Sequence, residues 1–272
     1  MRKYKWREGD VEHELELVRV PGTGGKPFLF GGEVNRREVE IRDFYISRTP
    51  VTQALWRHVM GDNPAERDEP WWPVTHVSWA QVAGPKGFIE RINSSAILRS
   101  VAEGDDALRF RLPSETEWEY AARGGPHWRD GFRFSGSNEI EEAGWYGAKF
   151  SAARRLVCRL LGWRVGWRLA GRRRLRKETH AHPVGAKAPN QIGIFDMSGN
   201  VWECCEDVVV NDIDRVPRDG TPYLGEGSER RLRGGCHHNW DLHCTVSWRY
   251  GIVPDAADEC IGFRLALAPV RD

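Results

Sequence analysis

Between residues 14 and 46 apolar and polar positions alternate. Glu14-Leu15-Glu16-Leu17-Val18-Arg19-Val20 and Val39-Glu40-Ile41-Arg42-Asp43-Phe44-Tyr45-Ile46 each read as a half-exposed strand, punctuated by Pro21-Gly22 and Gly31-Gly32. The period then lengthens. Thr52 is placed to cap a short helix over Gln53 to Met60, which Gly61 closes. A second helical stretch follows Val77-Ser78-Trp79, is broken by Gly84-Pro85, and resumes at Phe88-Ile89-Glu90-Arg91-Ile92. The sharpest local signal is RLPSETEWEYAARGG, residues 111–125. Ser114 and Glu117 have capping-box spacing, in which each side chain satisfies the other's backbone N–H, and Gly124 supplies the stop. From residue 190 onward short strands and Gly-rich turns return. Strands first, helices in the middle and strands last predict an α+β fold with much irregular loop. No internal repeat is visible, and the 272 residues read as a single domain.

One stretch has no period at all. The regular flanks RLRGG and IGFRLA enclose CHHNWDLHCTVSWRYGIVPDAADEC, residues 236–260, with three His, three Cys, two Trp, a Tyr and four carboxylates. A core segment would be periodic and a spacer would be rich in Gly, Ser or Lys. The stretch therefore reads as a displayed surface. Trp240, Trp248 and Tyr250 supply apolar area with few rotors and a polar tip. His237, His238, Asn239, Asp241, His243, Asp255, Asp258 and Glu259 supply adaptable polar contacts, while Gly235, Val246, Arg249, Pro254 and Ile261 look like framework. A transition-metal site from His237, His238, His243, Asp241 and Cys236 is disfavoured, because adjacent His in an extended segment point to opposite faces.

Composition narrows the classes. The net charge is +1, but residues 151–177 hold nine Arg and one Lys with no acid. There Leu156, Leu160, Trp163 and Trp167 share one helical face, flanked by Arg155, Arg159, Arg164 and Arg168. This basic insertion, at about 148–180, reads as a docking element for a partner, an anionic surface or nucleic acid. Gly162, Gly166 and Gly171 each weaken it as a helix by about 1 kcal/mol. The N-terminal residues carry no apolar signal region, and no run nears the roughly 20 apolar residues of a transmembrane segment. A cytoplasmic location with six reduced Cys is expected, and no C-x-x-C pair suggests zinc. No Ser-His-Asp order, G-x-S-x-G or phosphate loop appears.

Taken in order, these pieces resemble the formylglycine-generating enzyme (sulfatase-modifying factor) family, a variant of the C-type lectin-like fold. The resemblance runs through LVRVPG at 17–22, FYI at 44–46 with PVT at 50–52, PVTHVSW at 73–79 and the 111–125 motif. It continues through NQIGIFDMSGNVWE at 190–203, LRGG at 232–235 and GFR at 262–264, and omits only 148–180. The resemblance implies two Cys spaced C-x4-C after the Gly-Gly turn as copper(I) ligands. Here the second position is Cys244 and the first is Asn239, whose amide cannot replace a thiolate, so copper is not expected. It also implies a calcium loop, with the side chains of Asp196 and Glu203 and the carbonyls of Gly199 and Val201 as candidate ligands of a structural ion. The broken Cys pair and the contact-rich 236–260 segment make the chain most similar to the variable proteins of diversity-generating retroelements. These are non-catalytic binders that carry a hypervariable patch on this fold. The implied function is ligand binding, with a protein surface as the expected partner. The alternatives are a copper-dependent oxidase of the formylglycine-generating type, or a degenerate scaffold that delivers the basic insertion.

Overall fold

The computed structural model describes residues 1–149 and 180–270. The insertion read at 151–177 therefore lies outside the described residues. Two strands, β1 (Arg2–Glu8) and β2 (Val11–Val20), form an antiparallel hairpin. A smaller hairpin follows, β3 (Phe28–Gly31) with β4 (Arg36–Val39), and then β5 (Phe44–Ser47). The helical middle holds α1 (Gln53–Met60), α2 (Trp79–Ala83), α3 (Phe88–Asn93) and α4 (Ala96–Ala102). Next come β6 (Leu108–Arg111), α5 (Glu115–Ala122) and α6 (Ile140–Ala143). The chain closes with β7 (Trp202–Val208), β8 (Arg230–Arg233), β9 (Tyr250–Ile252), β10 (Ile261–Phe263) and β11 (Ala266–Pro269).

The main sheet has the order β1-β2-β5-β11-β6 and is antiparallel throughout. It separates two apolar clusters. Leu15, Leu17, Leu108, Phe110 and Leu267 face the cluster that α1 to α4 complete, whereas Val18, Val20, Phe44, Ile46 and Ala266 face the one around α5. Burial on both sides explains why β2 reads as alternating at its start and as continuously apolar at Leu17-Val18.

Local signals fix the helices. The Thr52 hydroxyl accepts the Leu55 amide, and Gly61 takes the left-handed conformation at φ 90° that ends α1. Both bonds of the Ser114–Glu117 capping box are made, at 3.1 and 2.9 Å. The single strand expected over 39–46 is instead two strands in two sheets. Residues 40–43 leave the ladder because the Ile41 carbonyl passes where a Cβ on Gly22 would lie, 2.3 Å away, while Asp43 Oδ1 accepts the Gly22 amide.

A four-stranded sheet, β10-β7-β8-β9, carries the candidate surface. β10 runs parallel to β7, and the other pairs are antiparallel. The 236–260 stretch thus leaves the end of β8, forms the edge strand β9, and re-enters the opposite edge as β10.

Candidate binding surface and thiol–imidazole cluster

Both roots of the 236–260 segment are locked by buried ion pairs. Before it, fully buried Arg233 donates to Glu119 at 2.5 Å and to the carbonyl of Val246 at 2.6 Å. After it, Arg264 holds both oxygens of Glu203 at 2.6 and 2.7 Å, and the Trp118 indole donates to the same carboxylate at 2.5 Å. Midway, Arg249 makes two 2.7 Å bonds to Glu115, which also pairs with Arg231 and Arg233. Burial alone would raise the Glu115 carboxyl. The Arg249 bonds and the three guanidinium charges overcome that and hold it below its ordinary range. The turn itself needs glycine, because Gly235 sits at φ 74° and a Cβ there would meet Cys244 Sγ at 2.7 Å.

Between these anchors the expected contact residues divide. His237 and Asp241 are buried, at 0% and 2% exposure, so their side chains belong to the interior and not to the surface. His238, Asn239, Trp240, His243, Trp248 and Glu259 are half-buried, and Tyr250, Asp255 and Asp258 are exposed. Each meets its own neighbours. His243 and Trp248 stack obliquely, their ring centroids 4.7 Å apart. Trp248 borders a cleft of about 1200 Å³ walled by Leu242, Thr245, Val246, the β3–β4 hairpin, Trp128 and Arg133. His238 and Glu259 pair at 3.3 Å elsewhere, beside a cavity of about 160 Å³ that Glu259, His76 and His180 help to line. Tyr250 lies flat against Trp202, 5.2 Å between centroids. The buried acids of α5 that brace this surface are not legible as such, since ETEWEYAA reads as a partly solvated helix. The arginines that precede the Gly-Gly turn are the one sequence hint of them.

The cysteines depart from expectation. Cys236 and Cys260 are joined as a disulfide across 24 residues, whereas Cys204, Cys205 and Cys244 are buried free thiols. Spacing could not show this pairing, because the partners are brought together only when β10 closes on β7. Both sulfurs and a ring nitrogen of His237 lie within 4.8 Å of one another. Burial pushes the His237 imidazole down to about 4, so the ring is neutral at pH 7.

The residues at the two metal sites that the family resemblance raises are already engaged elsewhere. At the calcium loop, Asp196 keeps a buried Oδ1 without a hydrogen bond, but Glu203 is committed to Arg264 on both oxygens. Its charge is already neutralised, so of the candidates Asp196, Gly199, Val201 and Glu203 only Asp196 offers a carboxylate oxygen not held by a cation, beside the two carbonyls. For copper, the Asn239 amide oxygen accepts the Cys236 backbone N–H at 2.9 Å. Cys244 is left as a single buried thiol whose pKa burial raises well above normal.

The strand order, the few short helices and the Gly-Gly-to-GFR segment define a C-type lectin-like fold of the formylglycine-generating type. The sulfatase-modifying factor enzyme 1-like domain matches residues 8–269, and the chain belongs to that family. It is 33% identical over 227 residues to the chaperone protein LppX of Paenibacillus barcinonensis, covering 72% of this chain and 73% of that one. It is 29% identical over 294 residues to the formylglycine-generating enzyme of Streptomyces coelicolor, covering 92% and 88%. Among solved structures, Treponema denticola variable protein 1 superposes with a TM-score of 0.68 at 25% identity, covering 98% of this chain and 99% of that one. No helix among the described residues is long and apolar enough to cross a membrane.

Proposed function

We propose that this chain is a non-catalytic ligand-binding protein whose 236–260 segment is a diversified binding face. The observation that carries the reading is the contrast within that segment. Its roots and midpoint are held by buried Arg233, half-buried Arg249 and buried Arg264, while Tyr250, Asp255 and Asp258 stand exposed between them. A scaffold braced in this way tolerates replacement of surface residues without new ordering entropy at each binding event. The likeness to a variable protein of the same fold supports the reading. The absence of a second thiolate at Asn239 weighs against the oxidase alternative. Trp248 and the cleft it borders are where the ligand would seat.

Deep sequencing of the coding region for 230–270 across many cells of one culture tests this. Substitutions should concentrate at the exposed and half-buried positions, from His238 to Glu259. They should spare Gly235, His237, Asp241, Arg249 and Arg264. Uniform sequence throughout would remove the diversified reading. Turnover of a Cys-bearing peptide with copper(I) would replace it with the enzymatic one.

A further inference from the structure

We propose that Cys236, His237 and Cys260 form a soft transition-metal site of the zinc type, open when the two cysteines are thiols and closed when they are joined. Nothing in this proposal depends on whether the surrounding segment is diversified.

Three elements converge to build the cluster. The Gly-Gly turn delivers Cys236 and His237, the residue before β10 delivers Cys260, and the 196–200 loop supplies the carbonyl that fixes the imidazole. The two sulfurs and a ring nitrogen of His237 already lie within 4.8 Å of one another. Two thiolates and an imidazole are three of the four ligands of a tetrahedral zinc site.

The imidazole provides the second, independent observation. His237 is fully buried, and its Nδ1 lies 2.8 Å from the carbonyl oxygen of Asn200. A carbonyl only accepts, so Nδ1 carries the proton and Nε2 keeps its lone pair. That Nε2 is buried and has no hydrogen-bond partner. A buried acceptor left unsatisfied is destabilising, and the fold gains nothing visible from it. A ring whose Nδ1–H is held by a backbone carbonyl while Nε2 is left open is the usual arrangement of a metal-ligating His.

A fourth ligand is at hand. His238 Nδ1 lies 3.9 Å from Cys260 Sγ and 3.3 Å from Glu259. The expectation that adjacent His diverge fails here because the chain is not extended. The Asn239 amide bonds the Cys236 carbonyl at 2.9 Å, which closes a turn and brings the two rings to 4.2 Å. Half-buried Glu259, the ion-pair partner of His238, lines the smaller cavity, which opens the cluster's edge towards solvent.

A small-molecule dithiol donates two electrons and two protons to the Cys236–Cys260 disulfide, giving two thiols and leaving the reductant as its own disulfide. The divalent ion then displaces one proton from each thiol, forms two metal–sulfur bonds and accepts the His237 lone pair. A disulfide sulfur is not a comparable ligand, so oxidation by a disulfide-class oxidant releases the ion.

The test is a titration of the full chain with cobalt(II), then zinc(II), after reduction by a dithiol and removal of the reductant under nitrogen. The reduced protein should bind one equivalent of cobalt with a thiolate-to-metal charge-transfer band, which zinc abolishes. The disulfide form should show none. Cys260→Ser and His237→Ala should each weaken binding by at least the roughly 10–100-fold that loss of an outer-shell partner causes. Cys244→Ser should bind like the wild type. Should a variant fail to fold, alkylation of the wild type serves instead, with zinc slowing modification of Cys260. No band in the reduced protein, cobalt bound by Cys260→Ser as tightly as by the wild type, a band lost in Cys244→Ser, or alkylation rates indifferent to zinc would each overturn the site.

Discussion

Glu203 shows how one side chain can carry opposite meanings in sequence and in space. In the stretch 196–203 it reads as a calcium ligand. In the fold it is closed by Arg264, 61 residues further on, and by the indole of Trp118. Removing one partner from a buried pair leaves an uncompensated charge, which typically destabilises by about 3–5 kcal/mol. Arg264→Met should therefore lose that much in urea denaturation, and Glu203→Gln should lose less because the amide still accepts from Trp118. Equal and small losses would mean that the pair is not a keystone. Calcium should leave the melting temperature of the wild type unchanged, since Arg264 holds both oxygens of Glu203. A calcium-dependent rise that Glu203→Gln removes would show the opposite.

At the scale of elements, the caps and breaks were readable and the partners were not. Thr52, Gly61, Ser114 and Glu117 signal their helices locally, because a cap is satisfied within four residues. Ser114→Ala should destabilise by at least about 1 kcal/mol on capping grounds alone, and by more because its hydroxyl also reaches the Gly220 carbonyl. By contrast, α5 places Glu115, Glu117 and Glu119 inside the protein, which its sequence does not suggest. Glu117 and Glu119 find Arg111 and Arg123 close by in the chain, but Glu115 depends on Arg233 and Arg249, 118 and 134 residues away, and Glu119 also on Arg233, so the network closes only by long-range assembly. The same reason hid Cys260 from view. Its bond to Cys236 closes a loop with a sequence separation of 24. Loop-closure entropy gives such a crosslink about 3 kcal/mol. Reduction should lower stability by about that amount and raise amide exchange mainly within 237–259, because Arg233, Arg249 and Arg264 hold the ends independently. If exchange rises equally in the main sheet, the segment is not a separable unit. The contact residues were legible as a stretch, yet His237 and Asp241 were not recognisable as interior, since a segment without period gives no face to read.

For the whole molecule, the buried charge network makes stability depend on pH through Asp207. This carboxyl lies between β7 and α5 and accepts the backbone amides of Glu115 and Tyr223. Burial, with Glu115 and Glu206 nearby, raises it from the ordinary 3.8 to about 7, against the opposing pull of those two amides. Arg111, Arg230, Arg231 and Arg249 stand around the same network. The folded chain therefore keeps this proton up to about pH 7, while the unfolded chain releases it near 4. The native state binds more protons across that window, so the contribution of Asp207 is complete below about pH 4 and is lost as pH rises to about 7. The slope is at most about 1.4 kcal/mol per pH unit. Asp207→Asn gives up one of the two amide bonds and should be less stable than the wild type at pH 4. The gap should then close as the pH rises, because only the wild type pays for ionising the buried group. Urea midpoints for both proteins at half-unit intervals from pH 4 to 8 would decide the matter. A gap that narrows and then flattens above pH 7 places the titration at Asp207, whereas a constant gap means that the arginines around Glu115 already stabilise its charged form.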